Sequence, residues 1–192
     1  HAIDKAITGS LDLRVTLSVL LDQVIQQLGV DASNVFLHDP ENQNLNYSDG
    51  VGFNFGSLTR NSFKLGEGLV GHVALNRTLI DINDLSKTDI EIARPVLVEQ
   101  ERFVSYYGVP LITRGKLKGV LEVFHRQPLN VDSEWVDFLK TLSAQAAIAI
   151  ETTDLFADIQ QSNSNLKLAY TTTLEGWVRA LDLRDKESEG HA

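Results

Sequence analysis

The fold of this chain is decided by the stretch Phe103-Val104-Ser105-Tyr106-Tyr107-Gly108-Val109-Pro110-Leu111-Ile112-Thr113-Arg114-Gly115-Lys116-Leu117-Lys118-Gly119-Val120-Leu121-Glu122-Val123. Two apolar runs that are rich in β-branched and aromatic residues flank a polar turn with Gly115 in it. Gly115 can take the positive φ of a tight turn because it has no Cβ. The stretch therefore predicts a β-hairpin.

The composition of the 192 residues argues against several classes of function. A formal net charge of −9 disfavours binding to a phosphate backbone, which needs clustered Lys and Arg. The chain has no Cys and hence no disulfide, thiol nucleophile or thiolate metal site. No apolar run approaches the ~20 residues that span a bilayer, and the N-terminus lacks a signal-peptide pattern. We therefore expect a cytoplasmic protein that binds neither nucleic acid nor membrane.

The residues before the hairpin are expected to form one helix and several short strands. Residues 1–10 show little pattern and are expected to be a poorly ordered lead-in. From Leu11 the apolar residues recur at steps of three and four, which predicts a helix that ends at Gly29. Strands are predicted at 35–37, 45–47 and 78–82, and Asp49-Gly50 is predicted to form a turn. A short helix is predicted within 54–65, and residues 83–101 are predicted to form a long polar connection.

After the hairpin, the chain is predicted to be helical from Ser133 to about Arg184. The first part is apolar enough to pack on the domain. In the second part, steps of three and four residues are typical of coiled-coil a and d positions. The residues of this seam are Phe156, Ile159, Asn163, Leu166, Tyr170, Thr173 and Trp177. A core Asn163 would fix the register of two strands at a cost in stability. The alternative interpretation is an amphipathic helix that packs on another domain.

Residues 11–156 resemble a GAF domain. The resemblance rests on the hairpin, on the opening helix and on motifs in the family's order, namely Lys64-Leu65-Gly66-Glu67-Gly68-Leu69-Val70-Gly71, Leu79-Ile80-Asp81-Ile82-Asn83-Asp84-Leu85 and Leu142-Ser143-Ala144-Gln145-Ala146-Ala147-Ile148-Ala149-Ile150-Glu151. It implies an α+β fold with a central antiparallel sheet of five or six strands. The N- and C-terminal helices pack on one face, the last helix continues far beyond the sheet, and loops and short helices cover a pocket on the other face.

Members of this family bind cyclic nucleotides, haem, bilins or other small molecules, and many only dimerise. By family position, the residues expected to line the pocket are Phe53, Leu69, His72, Val73, Ile82, Phe103, Tyr107 and Val109. Tyr107 is the strongest single candidate, because a phenol combines an apolar face with one hydrogen-bonding group. Aromatic and aliphatic residues at these places are equally what a filled core needs.

The residues that mark particular ligands in the family are missing. Its cyclic-GMP pattern needs Asn-Lys where this chain has Asn76-Arg77, and bilin attachment needs Cys. Haem would need an axial ligand such as His72 or His125, although a lone His is more often structural. The pattern G-x-G-x-x-G at 66–71 lacks the parallel strand of a dinucleotide site, so we interpret it as a sharp turn into a short helix. The N-terminus of that helix could still favour an anionic ligand group.

Residues 169–191 resemble the first helix and loop of HD-GYP domains, which are metal-dependent phosphodiesterases that hydrolyse cyclic di-GMP. The resemblance implies that Glu187 and His191 are metal ligands in a site with two or three divalent metals. The remaining ligands would lie beyond Ala192, so we expect no cofactor or metal in this chain. The predicted divisions are a lead-in at 1–10, a GAF domain at 11–156, a coiled-coil helix at 157–184 and a truncated HD-GYP start at 185–192. We expect a fragment of a longer protein, since it begins with His1-Ala2.

Taken together, these patterns predict a regulatory module and not an enzyme. The expected function is to sense a small molecule, to form a homodimer through the terminal helices, and to control a downstream HD-GYP phosphodiesterase in bacterial signal transduction. The alternative is a structural dimerisation module that binds no ligand.

Overall fold

The computed structural model describes the backbone of residues 2–54 and 61–189 and the side chains of residues 12–54 and 61–181. The elements are α1 (Ala2–Leu28), β1 (Ala32–Asp39), β2 (Asn44–Val51), β3 (Ser62–Lys64), α2 (Gly68–Asn76), β4 (Ile80–Ile82), a turn of 3₁₀ helix (Leu85–Lys87), α3 (Pro95–Glu101), β5 (Ser105–Thr113), β6 (Lys116–His125) and α4 (Ser133–Glu189).

The strands form one antiparallel sheet in the order β3-β2-β1-β6-β5-β4. The predicted hairpin is confirmed as β5 and β6, which pair from Ser105↔His125 to Thr113↔Lys116. Arg114 and Gly115 form its turn with φ values of 48° and 73°. Two successive positive φ angles suit the right-handed twist of the flanking strands.

The two faces of the sheet carry separate hydrophobic layers, because successive strand residues point to opposite sides. One layer contains α1 and the start of α4, with Leu17, Leu21, Val24, Leu139 and Ala146 packed on the sheet. The other layer contains α2 and α3, together with Phe36, Phe63, Phe103 and Phe124. The predicted α+β fold is thus confirmed, with six strands and the terminal helices on one face.

Several local predictions need correction. Helix α1 begins at Ala2, so residues 2–10 are helical where a poorly ordered lead-in was predicted. This segment contains two Ala and one Lys, which favour a helix even without an apolar stripe. The pair Asp49-Gly50 is not a turn but lies inside β2. The long connection at 83–101 holds the 3₁₀ turn and α3. The helix predicted within 54–65 falls largely on residues outside the described part.

Helix α4 runs from Ser133 to Glu189 without a break, slightly longer than predicted. Contacts divide the chain into two units, His1–Thr153 and Asp154–Ala192. In the first unit, Leu139, Leu142 and Ile150 of α4 are buried. In the second unit, the large apolar side chains are exposed, including Phe156 at 59% and Trp177 at 67%. Within the described residues, no helix combines the length and the apolar character needed to cross a bilayer.

Candidate functional site

The residues predicted to line a pocket divide between the two faces of the sheet. Those that lie in the layer under α2 and α3 are Phe53, Leu69, Val73, Ile82 and Phe103. His72 lies on α2, half-buried, and its Nδ1 is 2.8 Å from the carbonyl oxygen of Gly68 one turn earlier.

Tyr107 and Val109 lie on the opposite face of the sheet from the other predicted pocket residues. Both belong to the layer under α1 and α4, where Tyr107 packs on Trp135 with ring centroids 4.9 Å apart. The reason is the alternation of strand residues, which places Tyr106, not Tyr107, on the side of α2 and α3. The Tyr107 hydroxyl lies 3.3 Å from Oδ1 of Asn83.

A small cavity lies between the sheet and the segment that leads into α3. Its volume is about 10 Å³, which is room for roughly one water molecule. The lining is mostly apolar, with Arg94 as its charged member. The lining residues are Phe63, Gly68, Leu69, Val70, Ile92, Ala93, Arg94, Leu97, Val98 and Phe124.

Arg94 is the central residue of the candidate site. It immediately precedes α3, and its side chain, only 9% exposed, forms an ion pair with the fully buried carboxylate of Glu122 on β6. Its guanidinium carbon lies 5.2 Å from the ring centre of Phe36, 5.3 Å from that of Phe63 and 5.8 Å from that of Phe124. Cation–π contacts with three rings, together with the ion pair to one carboxylate, therefore hold this charge below α3.

The second carboxylate oxygen of Glu122 accepts a hydrogen bond from the hydroxyl of Tyr106 at 3.1 Å. Burial raises the pKa of Tyr106 well above its usual value, and the neighbouring Glu122 charge acts in the same direction. Tyr106 therefore remains a neutral donor across the physiological range. Arg94, Glu122 and Tyr106 are not among the residues that the sequence predicts to line a pocket. The available signal was one acidic residue inside the apolar run Gly119–Phe124.

Asn34 on β1 is directly opposite Glu122 in the β1–β6 pairing. Its side chain is fully buried, and neither its amide nitrogen nor its amide oxygen has a hydrogen-bond partner. Nη1 of Arg94 is also buried without a partner. A buried polar atom with no partner costs about 1–3 kcal/mol, so these atoms are candidate contacts for a bound water or ligand.

A second polar cluster fixes the other end of α3. Nη2 of Arg126 lies 2.6 Å from the buried carboxylate of Glu101, the last residue of α3. Nη1 of Arg126 lies 3.3 Å from Asp31, whose carboxylate also lies 2.7 Å from Nδ1 of His125. Of the two histidines considered as axial haem ligands, His72 has Nδ1 at 2.8 Å from the Gly68 carbonyl oxygen and His125 has Nδ1 at 2.7 Å from the Asp31 carboxylate. Among the described residues, no three His, Asp or Glu side chains are grouped to hold a metal ion.

The hydrogen bond of Tyr106 gives a first testable prediction. Changing Tyr106 to Phe leaves one buried oxygen of Glu122 without its donor, and we expect a loss of about 1–3 kcal/mol in the free energy of unfolding. Denaturant unfolding of the purified chain measures this change. Tyr107→Phe is the matched control, because its hydroxyl is only part-buried and its bond to Asn83 is longer, at 3.3 Å. Equal effects of the two substitutions would contradict the assignment.

Comparisons with known proteins agree with this architecture. A family profile described as "GAF domain" matches residues 10–151. The Nif-specific regulatory protein of Herbaspirillum seropedicae is 26% identical over 126 residues, which cover 65% of this chain and 23% of that protein. The chain thus spans about a quarter of the length of the curated relative that it matches.

Among solved structures, the GAF domain from an Acinetobacter phosphoenolpyruvate-protein phosphotransferase is 26% identical, with a TM-score of 0.65. The match covers 82% of this chain and 95% of that one. A GAF domain/HD domain protein from Geobacter sulfurreducens has a TM-score of 0.65 at 14% identity, with 77% of this chain and 97% of that chain covered. At that identity the likeness to the Geobacter protein is one of fold alone.

Proposed function

This chain belongs to the GAF domain family, and from that premise we propose that it is a regulatory module that senses a small molecule. The observation that carries the proposal is the polar site under α3, where Arg94, Glu122 and Asn34 are buried with several atoms unpartnered. Apolar residues of similar volume in place of a buried ion pair often give a core of about the same stability. A ligand that pairs with the unpartnered atoms of Asn34 and Arg94 would account for polar groups at this place.

We further propose that the module acts as a homodimer through its terminal helices. The described side chains on residues 154–181 of α4 include large apolar groups that are mostly exposed, and several follow the predicted seam. These seam residues are Phe156, Ile159, Leu166, Tyr170 and Trp177, with the polar Asn163 between them. In the first unit, Val15 and Val19 of α1 and Ile148 of α4 are also exposed apolar residues. A second copy of the chain would cover these surfaces.

The proposed output is a downstream HD-GYP domain that hydrolyses cyclic di-GMP in a bacterium. Support comes from the likeness of residues 169–191 to the start of that family, and from the continuous helix α4. Glu187 and His191 would there supply two of the ligands for two or three divalent metals, while residues 157–184 would form the linking coiled coil. The side chain of Glu187 and the whole of His191 lie outside the described residues.

The proposed seam yields a prediction for Asn163. Changing Asn163 to Ile replaces a polar a-position pair by an apolar one, so we expect the dimer dissociation constant to fall by at least about tenfold, or about 1.4 kcal/mol. Analytical ultracentrifugation over a concentration series measures this change. Asn165→Ile is the matched control, because Asn165 lies two residues from the seam position and pairs with Gln161 on the same helix. An unchanged constant for Asn163→Ile would contradict the seam.

The second candidate function is a dimerisation module that binds no ligand. It is favoured by the small cavity, whose volume of about 10 Å³ holds no metabolite in this conformation. Native mass spectrometry of the chain purified from cells distinguishes the two candidates. A dimer that retains a small molecule supports sensing, whereas a dimer without added mass, unchanged by a metabolite extract, supports dimerisation alone. A monomer at every concentration contradicts the homodimer in both.

A further inference from the structure

We propose that the site under α3 selects an uncharged small molecule that presents a carboxamide or lactam edge. This inference rests on the proposed sensing function and names the chemical class of the ligand. It follows from where the unpartnered atoms lie, which hydrogen-bonding capacity they offer, and what charge the site already contains.

The unpartnered atoms belong to one patch of the sheet. Asn34 on β1 and Glu122 on β6 are cross-strand neighbours, and such pairs have Cβ atoms about 4.5–5.5 Å apart. Phe36 and Phe124 lie two residues further along β1 and β6, on opposite sides of this pair. The guanidinium of Arg94 contacts both rings and binds Glu122. It therefore lies above the Asn34–Glu122 pair.

The patch offers donors and an acceptor for a ligand with complementary groups. Nη1 of Arg94 and Nδ2 of Asn34 are unpartnered donors, and Oδ1 of Asn34 is an unpartnered acceptor. Asn34 is 0% exposed and the Arg94 side chain is 9% exposed, so bulk water does not satisfy these atoms. A primary or cyclic amide carries a carbonyl acceptor beside an N–H donor. It can thus pair with the Asn34 amide in both directions.

The charge of the site argues against an ionic ligand. The guanidinium of Arg94 is already paired with Glu122, and the hydroxyl of Tyr106 that faces this carboxylate stays neutral. A carboxylate or phosphate would place a second anion beside Glu122, with one cation for both and no bulk water. The cost of burying an unbalanced charge therefore favours a neutral molecule.

The surroundings favour a planar molecule. Phe36, Phe63 and Phe124 enclose the guanidinium, and flat aromatic faces pack well on flat ligands. The cavity of about 10 Å³ has room for one water and is lined by Arg94, Phe63 and Phe124 but not by Asn34. A ligand that reaches Asn34 must therefore displace side chains that now fill this layer. A single bound water is therefore the alternative to a ligand at this site.

The test compares three small aromatic probes of nearly equal shape, added to the whole chain: benzamide, benzoate and acetophenone. Nuclear magnetic resonance follows the side-chain signals of Asn34 and Arg94 during each titration. We expect chemical-shift changes that saturate with benzamide. Benzoate should bind at least tenfold more weakly. Acetophenone, which has the carbonyl acceptor but no N–H donor, should bind with intermediate affinity. Asn34→Leu should weaken benzamide binding at least tenfold, whereas the exposed Asn46→Leu should not change it.

Two results would overturn this inference while leaving the sensing function in place. One is tighter binding of benzoate than of benzamide, and the other is benzamide binding that Asn34→Leu does not alter. If Asn34→Leu does not fold, the preference among the three probes on the unaltered chain still decides. Shifts that never saturate with any probe would indicate a site occupied by water alone. Together with native mass spectra free of added mass, that outcome would contradict the sensing function as well.

Discussion

Glu122→Leu is expected to lower the free energy of unfolding by about 3–5 kcal/mol. The substitution removes the fully buried carboxylate that pairs with Arg94 and leaves the guanidinium, 9% exposed, without a counter-charge. Its contacts with three aromatic rings are present with or without Glu122, so they do not offset the loss of the carboxylate. Denaturant unfolding monitored by circular dichroism measures the change, and the slope with denaturant should stay constant.

A double variant makes this prediction specific to the ion pair. Arg94→Met combined with Glu122→Leu removes both charges at similar volume, so most of the lost stability should return. Glu151→Leu is a control for loss of a carboxylate near the surface, because its partner Lys118 and Glu151 itself are both partly exposed. We expect a much smaller change there. A Glu122→Leu variant as stable as the unaltered chain would show that Arg94 finds another partner or reaches solvent.

Gly119→Ala is expected to lower the free energy of unfolding by about 4 kcal/mol or to prevent folding. A Cβ at this position would lie 2.1 Å from the carbonyl oxygen of Phe36 on the neighbouring strand. That oxygen belongs to the backbone of β1, where Leu37 pairs with Gly119. The clash therefore forces β1 and β6 apart at the centre of the sheet.

A second glycine of the same hairpin provides the control. Gly115 has a φ of +73° with no atom near its missing Cβ, so Gly115→Ala should cost only about 1–2 kcal/mol from the left-handed conformation. Thermal unfolding of both variants separates a steric cause from a conformational one. Equal losses would mean that backbone conformation, not close approach to Phe36, makes glycine necessary at 119.

The sequence was sufficient for the fold because its signals are local or come from family motifs. The hairpin turn at Gly115 and the helix from Ser133 follow from turn chemistry and periodicity. Gly50 was predicted to lie in a turn but lies within β2, because glycine also occurs where another group approaches closely. A Cβ there would lie 2.7 Å from the Tyr47 hydroxyl and 3.0 Å from Cβ of Asn34. Sequence alone does not distinguish this use of glycine from a turn.

The candidate site was harder to predict because its members are distant in sequence. Family position predicted pocket residues on β5, but a shift of one residue decides whether Tyr106 or Tyr107 faces α2 and α3. The ion pair joins Arg94 to Glu122 across 28 residues. Neither residue shows its partner in the sequence, because Arg94 stands in a polar connection and Glu122 in an apolar strand.

The pairing of both ends of α3 has a consequence for motion. The N-terminal (leading) end of α3 is held by the ion pair between Arg94 and Glu122. The C-terminal end is held by the ion pair between Glu101 and Arg126, which lies one residue beyond β6. Release of one pair leaves the other as a pivot, so this seven-residue helix should swing from a single fixed end rather than separate from the sheet. The leading end borders the cavity, so separation of Arg94 from Glu122 would tilt the helix about Glu101 and change its angle on the sheet.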